Sequence, residues 1–85
     1  MYYVYVLYST ELDEFYLGSA TDLKRRYEQH KRGENKSTRK VSDWKVVYYE
    51  AYLAHATAKR REANLKLSGK AYVSLKQRIR DSFSD

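Results

Sequence analysis

No cysteine occurs anywhere in the chain, which excludes both a disulfide scaffold and a thiolate metal site. A cysteine-free chain suits a reducing compartment, and the cytoplasm is the expected location. Proline is absent as well, and there is no Gly/Ser-rich linker, low-complexity tract or internal repeat. The 85 residues are therefore read as one domain, 1–85, with one modest core. No apolar run approaches the roughly 20 residues needed to span a bilayer, so no membrane partner is expected. The opening Met-Tyr-Tyr-Val-Tyr-Val-Leu-Tyr lacks a basic leader and a small-residue cleavage site, and reads as a strand rather than a signal peptide. Positive charge is missing from the first stretch. No Lys or Arg precedes Lys24, whereas Glu11, Asp13 and Glu14 lie there.

The basic residues crowd instead into two blocks, Lys24 to Lys45 and Lys59 to Arg80, and the formal net charge is +6. A sided basic surface favours a polyanion, and nucleic acid is the commonest such partner. The plainer alternative is a solubilising surface on two helices. Tyrosine is abundant, with ten copies. In so small a chain Tyr and Trp must supply much of the buried area, so some of the ten are structural.

Tyr2 to Tyr8 is almost wholly β-branched or aromatic, which suits a central strand covered on both faces. Ser9 to Glu14 reads as a turn, and Phe15 to Gly18 as a second short strand completing a hairpin. Thr21 is the expected cap of a helix from about Asp22 to Arg32, with Gly33 as its stop. Glu34 to Asp43 is a polar, basic loop, and Trp44 to Tyr52 a third strand. A second helix is expected over Thr57 to Leu67, ending near Gly69. A third runs over about Ala71 to Phe83, with Tyr72, Leu75 and Ile79 as its inward stripe. The order is β-β-α-β-α-α, and a small sheet with helices packed against it is the economical α/β (α+β) architecture.

Several side chains could carry chemistry. Leu23, Arg26, Tyr27 and His30 fall on one face of the first helix. Leu23 and Tyr27 should point at the sheet, with Arg26 and His30 bordering that apolar face. An Arg held there can donate two hydrogen bonds to a phosphate, a geometry Lys cannot match. Glu62 stands alone among Lys59, Arg60, Arg61, Lys66 and Lys70, on a stripe with Ala58 and Leu65. A carboxylate there is costly to bury unless it is paired or holds a metal. Mg²⁺ takes only one or two protein carboxylates and keeps most of its waters. An ion pair with Lys66 or Arg61 is the plainer reading of Glu62. Tyr3 and Tyr5 share one face of the first strand, and Tyr16 could meet Tyr5 across the hairpin. Aromatic core packing is the plainer reading of the tyrosines. His55 is given no role.

Taken together, these pieces resemble the GIY-YIG nuclease superfamily. Tyr3-Val4-Tyr5 looks like the GIY element with its glycine replaced by Tyr3, and Tyr16-Leu17-Gly18 looks like the YIG element. Ten residues separate Tyr5 from Tyr16. Arg26 and His30 resemble the family's Arg and His on the first helix, and Glu62-Ala63-Asn64-Leu65-Lys66 its metal-binding segment. Some relatives carry an Asn about a dozen residues after the Glu, where Ser74 stands here. The resemblance is to small stand-alone bacterial members related to the N-terminal nuclease domain of the repair excinuclease. It implies a three-stranded antiparallel sheet flanked by helices, and phosphodiester hydrolysis with a single Mg²⁺ or Mn²⁺ ion. It also points to DNA repair or recombination as a setting. By the same analogy Tyr5 orients or deprotonates the attacking water with help from His30. Tyr16 positions water or phosphate, Arg26 neutralises charge developing on the phosphate, and Glu62 holds the metal.

The function expected is therefore a metal-dependent endonuclease acting on DNA. Two rivals stand beside it: a nucleic-acid-binding module of the same fold with little or no turnover, and a protein-interaction domain with solvating basic faces. Lys24, Arg25, Lys36, Arg39 and Lys40 are expected to grip phosphates without taking part in the chemistry. The surface of a lone domain this small is too limited to read a long site, and specificity would need a homodimer or a partner protein.

Overall fold

The computed structural model describes residues 1–83. Its elements are β1 (Tyr2–Ser9), β2 (Glu14–Ala20), α1 (Leu23–Lys31), β3 (Lys45–Tyr52), α2 (His55–Leu67) and α3 (Gly69–Ser82). The strands form one antiparallel sheet in the order β2-β1-β3, so the fold is α+β with the expected element order. β1 is the central strand because its residues tolerate burial on both sides. Val4 and Val6 face α2 and α3, where they pack with Leu17, Ala58, Leu65, Leu75 and Ile79. Tyr5 and Leu7 face the other way and pack with Trp44, Leu23 and Tyr27. The two faces of one strand thus serve two separate cores. The expected stripe on α3 is present, with Leu75 and Ile79 buried and Tyr72 packed beside them.

Several boundaries differ from expectation, each for a local reason. Asp22, not Thr21, caps α1: its carboxylate accepts from Arg25 N at 3.0 Å. A negative side chain at that position also complements the helix dipole. Gly33 has φ +75° and ends α1 as expected. Trp44 lies outside β3; its ring is buried and its indole N–H donates to the Thr38 carbonyl at 2.8 Å. β2 runs further than Phe15 to Gly18 and includes Ser19 and Ala20. α2 begins at His55, two residues before Thr57. Gly69 does not stop it; Ser68 separates the two helices and caps α3 by accepting from Ala71 N.

α2 needs more than apolar burial to hold its rotation, because only Ala58 and Leu65 of its residues are buried. Burying one Leu contributes about 1.5–3 kcal/mol and has no directional preference. Direction comes from Arg61, which donates from Nε and Nη2 to the two Glu50 oxygens of β3, each at 2.9 Å. The hydroxyls of Tyr48 and Tyr52 donate to the same carboxylate. Arg61 is thereby turned away from Glu62, its neighbour in sequence. Burial alone would raise the Glu50 pKa, but the hydrogen bonds from Arg61, Tyr48 and Tyr52 outweigh it and push it down to about 2.

A depressed carboxylate pKa adds stability above its unfolded value that is lost as pH falls through the folded value. For Glu50 that window runs from about 4.5 down to about 2. Glu50→Gln should cost about 1–2 kcal/mol at pH 7, discounted because Arg61 is partly exposed. The difference from wild type should narrow at pH 3. Urea unfolding at both pH values checks this, and an equal loss at each would assign the effect to shape rather than charge.

Candidate active site

The site starts from a buried polar chain. Tyr5 and His30 are almost wholly excluded from solvent, at 1% and 0% exposure. The Tyr5 hydroxyl lies 2.8 Å from His30 Nε2, and His30 Nδ1 lies 2.7 Å from Thr38 Oγ1, itself fully buried. Three elements therefore meet in one line: β1, α1 and the segment between α1 and β3. Buried polar groups need such partners, since each one left unpaired costs about 1–3 kcal/mol. Burial, then the Arg26 charge, holds the His30 pKa below its ordinary value, so the imidazole is neutral at pH 7. Burial, then the neighbouring Tyr16, holds the Tyr5 phenol well above the ordinary range, although Arg26 pulls the other way. At neutral pH this is a pair of uncharged groups.

Tyr16 does approach Tyr5, but diagonally. Its backbone partner on β1 is Leu7, and Tyr5 is paired with Gly18. The Tyr5 and Tyr16 rings are 6.4 Å apart, and the Tyr16 ring meets His30 edge to face at 5.0 Å. Gly18 is what makes room. A Cβ there would lie 2.7 Å from the Tyr5 oxygen and 2.8 Å from Tyr5 Cζ. The glycine of the second tyrosine segment is thus required by the phenol that crosses over it.

Arg26, one turn before His30 on α1, lines a cleft of about 170 Å³ together with Ser19, Lys59 and Tyr3. Glu62 reaches the same region from α2: its Oε1 accepts from Ser19 Oγ at 2.8 Å. Glu62 is not free. Lys66 Nζ lies 3.0 Å from Oε2 and Lys59 Nζ 3.6 Å from Oε1. The expected Lys66 pair is therefore present, and the Arg61 alternative is not. Burial pushes the Glu62 pKa up, but Ser19, Lys66 and Lys59 outweigh it, so the carboxylate is ionised at neutral pH. Tyr5 senses the charges of both Arg26 and Glu62. The five expected residues, Tyr5, Tyr16, Arg26, His30 and Glu62, thus converge at one end of the sheet around the edge strand β2.

Among the described residues no three His, Asp or Glu side chains gather as a ready-made metal cage. What Glu62 and Ser19 offer is one ionised carboxylate and one hydroxyl beside an open cleft. That donor set fits a hard cation that keeps most of its waters.

The expected phosphate-gripping residues stay outside this convergence. Lys24, Arg25, Lys36, Arg39 and Lys40 are all exposed, and Lys40 pairs with Glu14 at 2.8 Å. Lys24 and Arg25 lie on α1, and the segment that holds Lys36, Arg39 and Lys40 is not simply a loop, because Thr38 anchors it under His30 and the Asn35 carbonyl accepts from the backbone of Thr38 and Arg39. Sequence reasoning missed Thr38, Ser19 and Lys59. Only Ser19 carried a usable signal: it continues the alternation of β2 beyond Gly18, onto the face that α2 covers.

Comparison with known proteins places the chain in a family. A family model described as the GIY-YIG catalytic domain matches residues 1–77, and the chain belongs to that family. It is also similar to a solved structure, the solution NMR structure of a UPF0213 protein from Bacillus halodurans. The two are 32% identical over 89% of this chain and 86% of that one, with a TM-score of 0.53. No curated protein matches.

Gly18→Ala tests the packing that holds the site. The added methyl must displace the Tyr5 ring and break its bond to His30. A loss of about 1–3 kcal/mol is expected for such overpacking, with a shift of the His30 imidazole resonances by NMR. Unchanged His30 resonances would show that the phenol does not depend on this glycine.

Proposed function

We propose that this protein is an endonuclease that hydrolyses phosphodiester bonds in DNA with the help of one Mg²⁺ or Mn²⁺ ion. The observation that carries the reading is that Arg26 and Ser19 line one small cleft, with Glu62 bonded to Ser19 and the Tyr5–His30 pair within electrostatic reach of Arg26. The family supports nuclease chemistry in general. DNA as the substrate and the metal dependence are the finer parts of the proposal, as is a setting in repair or recombination.

Arg26 meets a phosphate in the cleft and stabilises the charge that builds on it. Tyr5 cannot be a standing base, because its burial keeps it protonated at neutral pH. It acts instead as a conduit. When Thr38 accepts from His30 Nδ1–H, the tautomer is fixed and Nε2 is the acceptor. Tyr5 then passes its proton to His30 Nε2 as its oxygen takes one from the attacking water. Tyr16 packs against both groups and orients them. Glu62, with Ser19 beside it, would hold the cation, which supplies Lewis-acid stabilisation of the leaving oxygen.

One observation favours a second reading, a DNA-binding module with weak turnover. Glu62 already has two ammonium partners, and a cation must compete with them.

A nicking assay on supercoiled plasmid decides between the two. Wild type should cut with Mg²⁺ or Mn²⁺ and not with chelator, and Glu62→Gln should abolish cutting while the fold persists. Binding without cutting under every metal condition would favour the module. In the same assay Arg26→Lys should lower turnover by about 10²- to 10³-fold, the usual cost of losing one such donor, with a much smaller change in affinity. Turnover near wild type would place Arg26 outside the chemistry.

The exposed Lys24, Arg25, Lys36, Arg39 and Lys40 serve the phosphate backbone in this reading. The Lys40–Glu14 bridge is exposed and worth little, so Lys40 remains available. Each contact removed should flatten the plot of log affinity against log salt by about 0.9. The triple variant K36A/R39A/K40A should weaken binding to all sequences alike and keep cleavage at saturating substrate. An unchanged slope would move the binding face to the second basic block.

A further inference from the structure

One part of the sheet lies uncovered. On the α1 face, where that helix begins, Tyr3 and Tyr49 stand together. Their rings meet edge to face with centroids 6.0 Å apart. Tyr49 is 58% exposed, so its ring adds little to the core. With Leu23, Tyr27 and Val46 the two tyrosines line an open groove of about 590 Å³, to which Asp22 and Lys24 add one charge of each sign. Tyr3 and Thr21 also line the cleft that holds Arg26 and Lys59. An aromatic groove is therefore continuous with a cationic cleft. Tyr3 occupies the position that is glycine in the family's first element, so this ring belongs to the present chain rather than to the motif.

The two halves of this surface ask for the two halves of a nucleotide. A phosphate suits the Arg26–Lys59 cleft, and the adjoining tyrosines offer a π-face of the kind on which any base can stack. A base paired within a duplex is already stacked on both sides and cannot enter. We propose that the Tyr3–Tyr49 groove seats an unpaired nucleobase next to the scissile phosphate, so that DNA with a single-stranded or unstacked nucleotide at the cut is the preferred substrate. This rests on the nuclease reading only for what the cleft does to the phosphate.

The test is binding, measured by fluorescence anisotropy in a Glu62→Gln background that removes turnover. The probes are labelled duplexes of one sequence: fully paired, with a short unpaired bulge, and with the same bulge lacking its bases. The bulged probe should bind about 5- to 150-fold tighter than the paired one, the range that stacking one base supplies. Removing the bases should erase the gain. Adding Tyr49→Ala should erase it too, with the paired probe unaffected, and Tyr49→Trp should retain it. Circular dichroism on each variant confirms the fold.

Equal affinity for paired and bulged DNA in the Glu62→Gln protein would overturn the proposal. So would a Tyr49→Ala effect of the same size on all three probes. The outcomes separate this inference from the nuclease reading. Wild type that nicks paired plasmid without any Tyr49-dependent preference keeps the nuclease and loses the base site. A Tyr49-dependent preference in a protein that cuts nothing does the reverse.

Discussion

The Tyr5–His30–Thr38 chain is the constraint on which the arrangement of this molecule depends. Three buried polar side chains from three parts of the sequence satisfy one another at 2.7–2.8 Å. All three are almost wholly excluded from bulk solvent, so none can be withdrawn without leaving its neighbour unpaired. The chain fixes α1 against β1, because His30 must bring Nε2 to a phenol on the central strand. It fixes the segment before β3, because Thr38 must bring its hydroxyl to Nδ1. Trp44 secures that segment a second time through the Thr38 carbonyl. Gly18 belongs to the same constraint from the other side, since any side chain there would occupy the place of the phenol.

The second half of the site is held by a different interaction on the opposite face. α2 is braced to β3 by the bidentate Arg61–Glu50 pair, and that brace sets which way the neighbouring Glu62 points. The two faces of the sheet would ordinarily keep their side chains apart. They come together because β2 is an edge strand, and because its end carries small residues, Gly18, Ser19 and Ala20. Arg26 reaches the edge from one layer, and Lys59 and Glu62 reach it from the other. An edge strand that could have been a liability for aggregation is here flanked by charged groups from both layers.

Much of this was legible in the sequence, for reasons that can be named. β1 announced itself through β-branched and aromatic residues without a break, and its burial on both faces followed from that composition. The face shared by Leu23, Arg26, Tyr27 and His30 needed only helical spacing, and the inward stripe of α3 likewise. But spacing set His30 at the border of that face, whereas its bonds to Tyr5 and Thr38 bury it completely. What spacing cannot give is a partner distant in sequence. Nothing near Thr38 marks it as buried, because its neighbours Ser37 and Arg39 are exposed and polar. The choice of Lys66 over Arg61 for Glu62 depended on Glu50, a residue on β3 that no local rule connects to α2. The cap on α1 moved from Thr21 to Asp22 because both are good caps and adjacent, so only the path of the chain leaving β2 could choose between them.

The electrostatics of the cleft bear on the order of events in the proposed reaction. In the free protein Lys59 and Lys66 neutralise Glu62, and Lys59 also donates to Ser19 at 3.0 Å. A phosphate entering beside Arg26 offers the Lys59 ammonium a doubly useful alternative, with more charge and more acceptor oxygens than a carboxylate already shared. As Lys59 turns to the phosphate, Glu62 and the Ser19 hydroxyl lose one competitor. The carboxylate is then more exposed to a cation than it was before substrate arrived. Lys59, which would oppose a cation at Glu62 in the free protein, is in the proposed reaction also the group through which a polyanion relieves that opposition. Carboxylate and ammonium thus keep each other satisfied until a polyanion separates them.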